Sequence, residues 1–207
     1  NGQFDKKCCE EIKGIFLECI IASSFSDEAK LVLSKRKNCR IIQAPFSLLQ
    51  KEGEIKSIVG GILLQEIDII EERKEDFECV TKRNLSSEEL KIAFFGWKAA
   101  QMVKSNAIVL ARKIDECSGY YTCGIGGGQP NRVDAARDAI TRAGRNFERA
   151  ILASDGFIPF VDTVKLAHEN GIKIIIQPGG SIRDEECIKY CNENDMTMLF
   201  TGTRHFK

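Results

Sequence analysis

The last third of the chain switches repeatedly between two hydrophobic periods, and this alternation restricts its possible folds more than any other feature. Helical spacing over Val133 to Arg145, Thr163 to Glu169 and Ile182 to Asn192 is interleaved with short apolar runs over Ala150 to Ala153, Lys173 to Gln177 and Met196 to Phe200. Strands separated by helices of this length pair in parallel through right-handed crossovers, which predicts an α/β fold. Between these elements lie glycine turns that carry aspartates and arginines. They read GIGGGQPNRVD (Gly124 to Asp134), ASDGFIPFVD (Ala153 to Asp162), IQPGGSIRDEE (Ile176 to Glu186) and TGTRHFK (Thr201 to Lys207). Each sits at the end of a predicted strand, where ligands of open α/β sheets bind, so the loops predict one composite site.

The preceding segments fit the same class. ECIIAS (Glu18 to Ser23) and CRIIQA (Cys39 to Ala44) read as strands around a helix that starts at Ser26 and runs to about Lys35. Val59 to Gln65 reads as a single strand whose Gly60-Gly61 pair marks a bulge or a close backbone approach. FECVTKR is strand-like. LSSEELKIAFFGWKAAQMVKS is a helix capped by Ser86 or Ser87. Ala107 to Ala111 and Tyr120 to Ile125 form two strands joined by a polar turn. Residues 6 to 16 read as a helix entered without a strand before it, as if the chain began inside a larger domain.

Composition excludes several classes of function. Lys+Arg and Asp+Glu number 30 each among 207 residues, so the chain lacks the basic excess of an obligatory nucleic-acid binder. No apolar stretch approaches a membrane span, and the polar N-terminus has no signal-peptide pattern. Nine cysteines at irregular spacing include no Cys-x-x-Cys pair, and only His168 and His205 could add imidazole. The expectation is reduced thiols in a cytoplasmic protein with no metal centre. Cys187 and Cys191, one helical turn apart, are expected to pack.

The loop residues each leave two readings open. The glycine run is either a tight structural turn or a phosphate-facing loop, and Arg132, on the first turn of the next helix, faces whatever that loop approaches. Asn106 is a turn asparagine or an amide for a polar substrate. Phe157 and Phe160 belong to the core, or Phe157 stacks on a flat heterocycle. Asp162 caps a helix or holds ligand N–H groups, and Ser181 is an N-cap or lines a site. Arg204 forks a phosphate or carboxylate, or makes a surface ion pair. No G-x-S-x-G elbow supports a hydrolase triad. The glycine spacing fits a dinucleotide fingerprint poorly, which speaks against an oxidoreductase.

Taken together, these motifs resemble the formyltransferase domain of the bifunctional purine-biosynthesis enzymes, AICAR transformylase/IMP cyclohydrolase. The likeness also includes ASSFSDEAKLVLSKRKNCRII (Ala22 to Ile42), GGILLQ (Gly60 to Gln65), VTKR (Val80 to Arg83), Trp97 within FFGWKAAQMVKSNAIVLA, and the terminal RHF. It implies a cytidine-deaminase-like α/β fold, a three-layer sheet with flanking helices, without the deaminase zinc. The fold would be duplicated, with the end of a first repeat at about 1–80 and a second repeat at about 81–207. It implies formyl transfer from 10-formyltetrahydrofolate to the 5-amine of AICAR on the way to IMP. The AICAR contacts carried over are Glu18, Lys37, Asn106, Arg132, Phe157 and Arg204. Asn106 would align the reacting groups, Glu18 would bind the ribose, and Arg204 would bind the phosphate. Val133, Asp162, Ser181 and Ile182 would line the folate site. Further expectations are a monovalent cation such as potassium, a homodimer or association with an N-terminal part, and a cytoplasmic location. The family's catalytic Lys-His dipeptide does not occur in these 207 residues. The alternative is a non-catalytic AICAR/folate-binding module or one subunit of a split enzyme.

Overall fold

The computed structural model describes residues 2–45, 53–115, 119–145, 147 and 149–206; Cys117 and Lys207 lie outside the described residues. The chain divides into two compact units, Asn1–Ile69 and Ile70–Lys207. The sequence reading draws its division near residue 80.

The N-terminal unit contains β1 (Gln3–Phe4), α1 (Lys6–Glu11), β2 (Cys19–Ala22), β3 (Ser24–Phe25), α2 (Asp27–Leu33), β4 (Arg40–Gln43), β5 (Gly53–Ile58) and β6 (Gly61–Glu66). Parallel pairing of β2 with β4 leaves Ile20 and Ala22 on one face, where they pack with Ala29 and Leu33 of α2. The Ser26 side chain accepts a hydrogen bond from the Ala29 N–H and starts α2 as expected. Three expectations need correction. The first helix ends at Glu11 and not near residue 16. It follows a short strand, because β1 pairs in parallel with β3. The Gly60-Gly61 pair is not inside one strand. β5 and β6 are antiparallel with Ile58 opposite Gly61, so Val59 and Gly60 form a two-residue turn, with Gly60 at φ +84°.

The C-terminal unit contains β7 (Glu78–Cys79), α3 (Ser87–Ala100), β8 (Ile108–Lys113), β9 (Tyr120–Gly126), α4 (Arg132–Ala143), β10 (Ile151–Ser154), α5 (Val161–Glu169), β11 (Ile174–Gln177), α6 (Asp184–Glu193) and β12 (Thr197–Phe200). One sheet carries the order β7-β12-β11-β10-β8-β9. β10, β11 and β12 are mutually parallel, as the alternating pattern predicts, while β8 runs antiparallel to both β10 and β9. Strand alternation then builds two cores. Ile108, Leu110, Leu152, Ile175 and Met198 pack against α4, α5 and α6. Val109, Ala111, Ile151, Ala153, Ile174 and Ile176 pack against Ile92, Ala93, Trp97 and Ala100 of α3. The result is a three-layer helix–sheet–helix arrangement. Ser86 and Glu89 form a reciprocal capping box at the start of α3. Cys187 and Cys191 pack as expected, and burial pushes their thiols up to about 11 and about 12.

The glycine run has a packing role at its start. Gly124 and Gly126 lie within β9, and a Cβ on either would overlap a backbone carbonyl of α4, that of Ala139 or Ala135 respectively. Glycines on the strand and alanines on the helix let α4 sit directly on the sheet, which sets where its first residue, Arg132, falls. Gly126→Ala is expected to destabilise the C-terminal unit by about 3 kcal/mol, because the clash is with backbone that cannot rotate away. Gly61→Ala, where the added atom meets nothing within 4 Å, should be near neutral. Urea unfolding of the two variants checks this; equal midpoints would refute the close-packing account.

Candidate functional site

The sheet register brings the polar loops to one edge. Ile108 at the start of β8 pairs with Ser154 at the end of β10 and with Gly126 at the end of β9. Gln177 at the end of β11 pairs with Phe200 at the end of β12. Residues 105–106, 127–131, 155–160, 178–183 and 201–206 therefore leave the sheet on the same side. β8, antiparallel to β10, starts at this edge beside the ends of the three parallel strands.

Asp155 is the centre of this edge. Its side chain is 0% exposed. Oδ1 accepts the Ala107 N–H at 3.0 Å and Arg132 Nη2 at 3.1 Å, and Oδ2 accepts the Ser105 hydroxyl. The Arg132 guanidinium, 8% exposed, spreads its remaining donors over the Ser154 hydroxyl, the Gly156 carbonyl and the Asn106 side-chain oxygen. Burial pulls this guanidinium below its ordinary value, Asp155 opposes that, and Arg204 reinforces it. Gly156 is required here, because a Cβ would overlap the Arg132 guanidinium. Asn106 follows a cis peptide from Ser105 and donates through Nδ2 to the Gln129 carbonyl at 2.9 Å. Its amide is thus held at both ends, oxygen by Arg132 and nitrogen by Gln129.

Two arginine–aromatic stacks flank this centre. The Arg204 guanidinium lies 4.7 Å from the Phe157 ring centroid, and that of Arg183 lies 4.8 Å from Phe160. Phe157 is half-buried and Phe160 exposed, so neither is the plain core residue that the bland reading expects. Asp162 is in the first turn of α5 but is not its cap; Phe160 holds that position without a side-chain bond, and Asp162 accepts the Thr163 N–H. Ser181 is likewise not the cap of α6, which begins at Asp184 after Arg183. The Ser181 hydroxyl accepts the Arg183 N–H, and Asp184 Oδ2 accepts the N–H groups of Gly180 and Ser181. Asp184 Oδ1 is buried without a partner among the described residues.

Of the residues read from the sequence, the structure brings Asn106, Arg132, Phe157 and Arg204 into one connected cluster. Val133 follows Arg132 on α4, Asp162 sits in the first turn of α5, and Ser181 and the fully exposed Ile182 sit on the loop before α6. Glu18 and Lys37 belong to the N-terminal unit. Both are exposed, Glu18 directly before β2 and Lys37 in the turn after α2. His205, a tempting general base in the sequence, is 1% exposed and buried against Trp97. His168 is partly buried, with Nδ1 3.1 Å from the Tyr190 hydroxyl. Ser105, Gln129, Asp184 and Glu72 escaped the sequence reading. Asp184 could have been found from its Ser-x-x-Asp spacing after Ser181, but Glu72 carries no such signal.

Among the described residues, no group of three or more His, Cys, Asp or Glu is placed to hold a metal ion. No helix among them is long and apolar enough to cross a membrane. A cavity of about 630 Å³ opens at the opposite sheet edge, near Lys113, Ile151 and Ile174. Its charges are largely matched within its own wall, Arg83 with Glu89, Arg112 with Asp115 and Lys113 with Glu88. The loop edge is the stronger candidate despite the volume of that cavity.

A mixed sheet flanked by helices, with a buried arginine–aspartate network at the edge where three parallel strands end, defines an α/β protein with one polar loop edge. The comparisons make this particular: a family model described as the AICARFT/IMPCHase bienzyme matches residues 1–142, and the chain belongs to that family. It is 47% identical over 208 residues to the bifunctional purine biosynthesis protein PurH of Prochlorococcus marinus (strain MIT 9301). It is 45% identical over 210 residues to that of Limosilactobacillus reuteri (strain DSM 20016), and 45% identical over 211 residues to that of Streptococcus uberis (strain ATCC BAA-854 / 0140J). These matches cover 100% of this chain but only 39–40% of each relative.

The buried ion pair is open to direct test. Asp155→Asn removes the charge opposite Arg132 and is expected to lower stability by about 3–5 kcal/mol, the usual result of stranding one buried partner. Urea unfolding at neutral pH measures it; a loss under about 1 kcal/mol, the size of an ordinary hydrogen bond, would contradict the pair's central place.

Proposed function

We propose that these 207 residues form the C-terminal part of an AICAR formyltransferase. The reaction transfers a formyl group from 10-formyltetrahydrofolate to the 5-amine of AICAR. The observation that carries this reading is the convergence of Asn106, Arg132, Phe157 and Arg204 at one sheet edge, in a chain that belongs to the bienzyme family. In this reading Arg204 binds the nucleotide phosphate, Phe157 and Arg132 contact AICAR, and Asn106 aligns the amine with the formyl carbon. Glu18 as a ribose contact and Lys37 as a phosphate candidate are carried over from the family resemblance alone. Val133, Asp162, Ser181 and Ile182 line the folate side. The fold reading is a cytidine-deaminase-like one, duplicated along the domain; the three-layer arrangement of the C-terminal unit supports it.

The chemistry places specific demands on the protein. The amine of AICAR is a poor nucleophile because its electrons are delocalised into the ring and carboxamide. Its nitrogen attacks the formyl carbon, a tetrahedral intermediate forms, and the bond from that carbon to the folate nitrogen breaks. The amine loses a proton and the folate nitrogen gains one. Positioning and electrostatic stabilisation fall to the loop edge. The chain contains no Lys-His pair, so proton transfer in this reading falls to a segment supplied from outside these residues. His205 is buried too deeply to take its place.

Three further elements belong to the proposal. The Ser105 hydroxyl, the Asp155 carboxylate and the His205 carbonyl converge, and such oxygen donors suit a hard monovalent cation such as potassium. That ion would hold the loops together. Exposed Ile21, Ile55, Val59, Leu63 and Leu64 in the N-terminal unit support association with a second copy or with further segments of a longer protein. The setting is cytoplasmic.

Calorimetric titration with AICAR and with a folate analogue tests the reading, followed by a formyl-transfer assay with and without a Lys-His-containing segment. Arg204→Ala is expected to weaken AICAR binding by about 1.5–3 kcal/mol, the range for a charge-assisted contact. Asn106→Ala should depress transfer in the completed enzyme far more than it depresses melting temperature. Unchanged AICAR affinity in Arg204→Ala would remove that residue from the site. Normal turnover with a large stability loss would make Asn106 structural.

A further inference from the structure

The residues after β12 have no regular secondary structure, yet they carry Arg204. Terminal segments fray unless something ties them down. Backbone bonds tie this one at Thr201, Gly202 and His205, whose N–H groups donate to the carbonyls of Gln177, Pro178 and Asp155. Among the described residues of the arm, only His205 is buried; Arg204 and Phe206 beside it are exposed. The imidazole is 4.8 Å from the Trp97 ring, centroid to centroid, and its Nε2 is 2.9 Å from Glu72 Oε1.

Glu72 is unusual in its own right. Its side chain is 6% exposed in a segment otherwise rich in solvated charges. Burial alone would raise its carboxyl above the ordinary value. Hydrogen bonds from Lys98 and Trp97, with His205 and Lys98 nearby, outweigh that and hold it below. Oε1 accepts Trp97 Nε1 at 3.0 Å while facing His205, and Oε2 accepts Lys98 Nζ at 2.6 Å. One carboxylate therefore joins α3 to the C-terminal arm. A carboxylate taken out of water is retained only where its partners are all in place, and here one partner is the arm itself.

We propose that Glu72, acting through His205, is the positioning residue that seats the C-terminal arm and so places Arg204 over Phe157 for an anionic substrate group. The side chain of Glu72 touches neither Arg204 nor Phe157; its effect runs through the neighbouring residue of the arm. The proposal rests on the reading of Arg204 as a phosphate contact, but the seating of the arm can be judged without it.

Trp97 is the single tryptophan of the chain and is 0% exposed, so its fluorescence reports the arm directly. In Glu72→Ala, and in His205→Leu, which keeps apolar bulk, acrylamide quenching of Trp97 should rise several-fold while far-UV dichroism is retained. Both variants should weaken AICAR by about ten- to a hundredfold, as Arg204→Ala is expected to do. Glu72→Ala combined with Arg204→Ala should bind no worse than Arg204→Ala alone, because the two changes remove the same contact. Glu72→Gln keeps an oxygen for Trp97 and His205 but turns an amide N–H toward Lys98, so it should restore part of the affinity. Quenching unchanged in His205→Leu would overturn the seating role. So would additive losses in the double variant, even if Glu72→Ala alone unfolds the protein and the cycle is run with His205→Leu. If the parent chain binds no AICAR, the reading of the site fails, and the quenching result alone then decides whether Glu72 seats the arm.

Discussion

The buried contact between Arg132 and Asp155 is the interaction on which the rest of the loop edge depends. Neither group is tolerable alone inside the protein, since an isolated buried charge costs several kcal/mol, on the order of 3–5 when its partner is lost. Each is therefore surrounded by enough polar groups to use its bonding capacity. Asp155 accepts from Arg132, Ala107 and Ser105, while its backbone carbonyl accepts from His205. Arg132 donates to Asp155, Ser154, Gly156 and Asn106. The start of β8, the start of α4, the end of β10 and the C-terminal arm thus meet at two residues. A network with every member satisfied is rigid, because loosening any loop strands a charge. That rigidity suits the alignment role proposed for Asn106.

This network needs α4 close to the sheet, and the core supplies that closeness through small residues. Ala135, Ala136, Ala139 and Ala143 line the buried face of α4, against Gly124 and Gly126 of β9. Larger residues would hold the helix axis further out and lift Arg132 away from Asp155. The same glycines that look in sequence like a phosphate loop therefore serve the site indirectly, through the position of the helix they admit. On the other face of the sheet, α3 carries Trp97 and Lys98, both bonded to Glu72. The two helical layers reach the same edge from opposite sides.

Most of the fold was legible because its signals are local. The capping box at Ser86 and Glu89, the Ser26 cap and the alternation behind β10, β11 and β12 each depend on residues a few positions apart. The failures have a different cause. Gly60-Gly61 is compatible with a bulge or a turn, and only the partner β5 decides between them. Ser181 has the right residue type for a cap, but the helix begins only at Asp184, whose carboxylate accepts the N–H groups of Gly180 and Ser181. Phe160 is apolar and would belong in a core were Arg183 not stacked on it. The site was half legible. Asn106, Arg132, Phe157 and Arg204 come together as the motifs imply. Their supports, Asp155 as hub and Glu72 as anchor, depend on contacts spanning up to 133 residues, which no spacing rule can reveal.

The anionic ligand proposed for this edge would account for arginines standing on aromatic rings. A guanidinium stacked on a ring is stabilised across its face, while its N–H donors lie in its plane and are directed away from the ring. Arg204 on Phe157 and Arg183 on Phe160 are built this way on separate loops. Lysine would lose both the stacking and the fork. A carboxylate partner would give either arginine a similar position, but it would also neutralise the charge that an incoming phosphate or carboxylate requires. Stacking orders the cation without neutralising it. The cavity at the opposite sheet edge shows the contrast, since Arg83, Arg112 and Lys113 in its wall are held by carboxylates. In a chain with no net charge, attraction for anions comes from where cations lack acidic partners, and among the described residues Arg204 and Arg183 have aromatic rings in place of carboxylates.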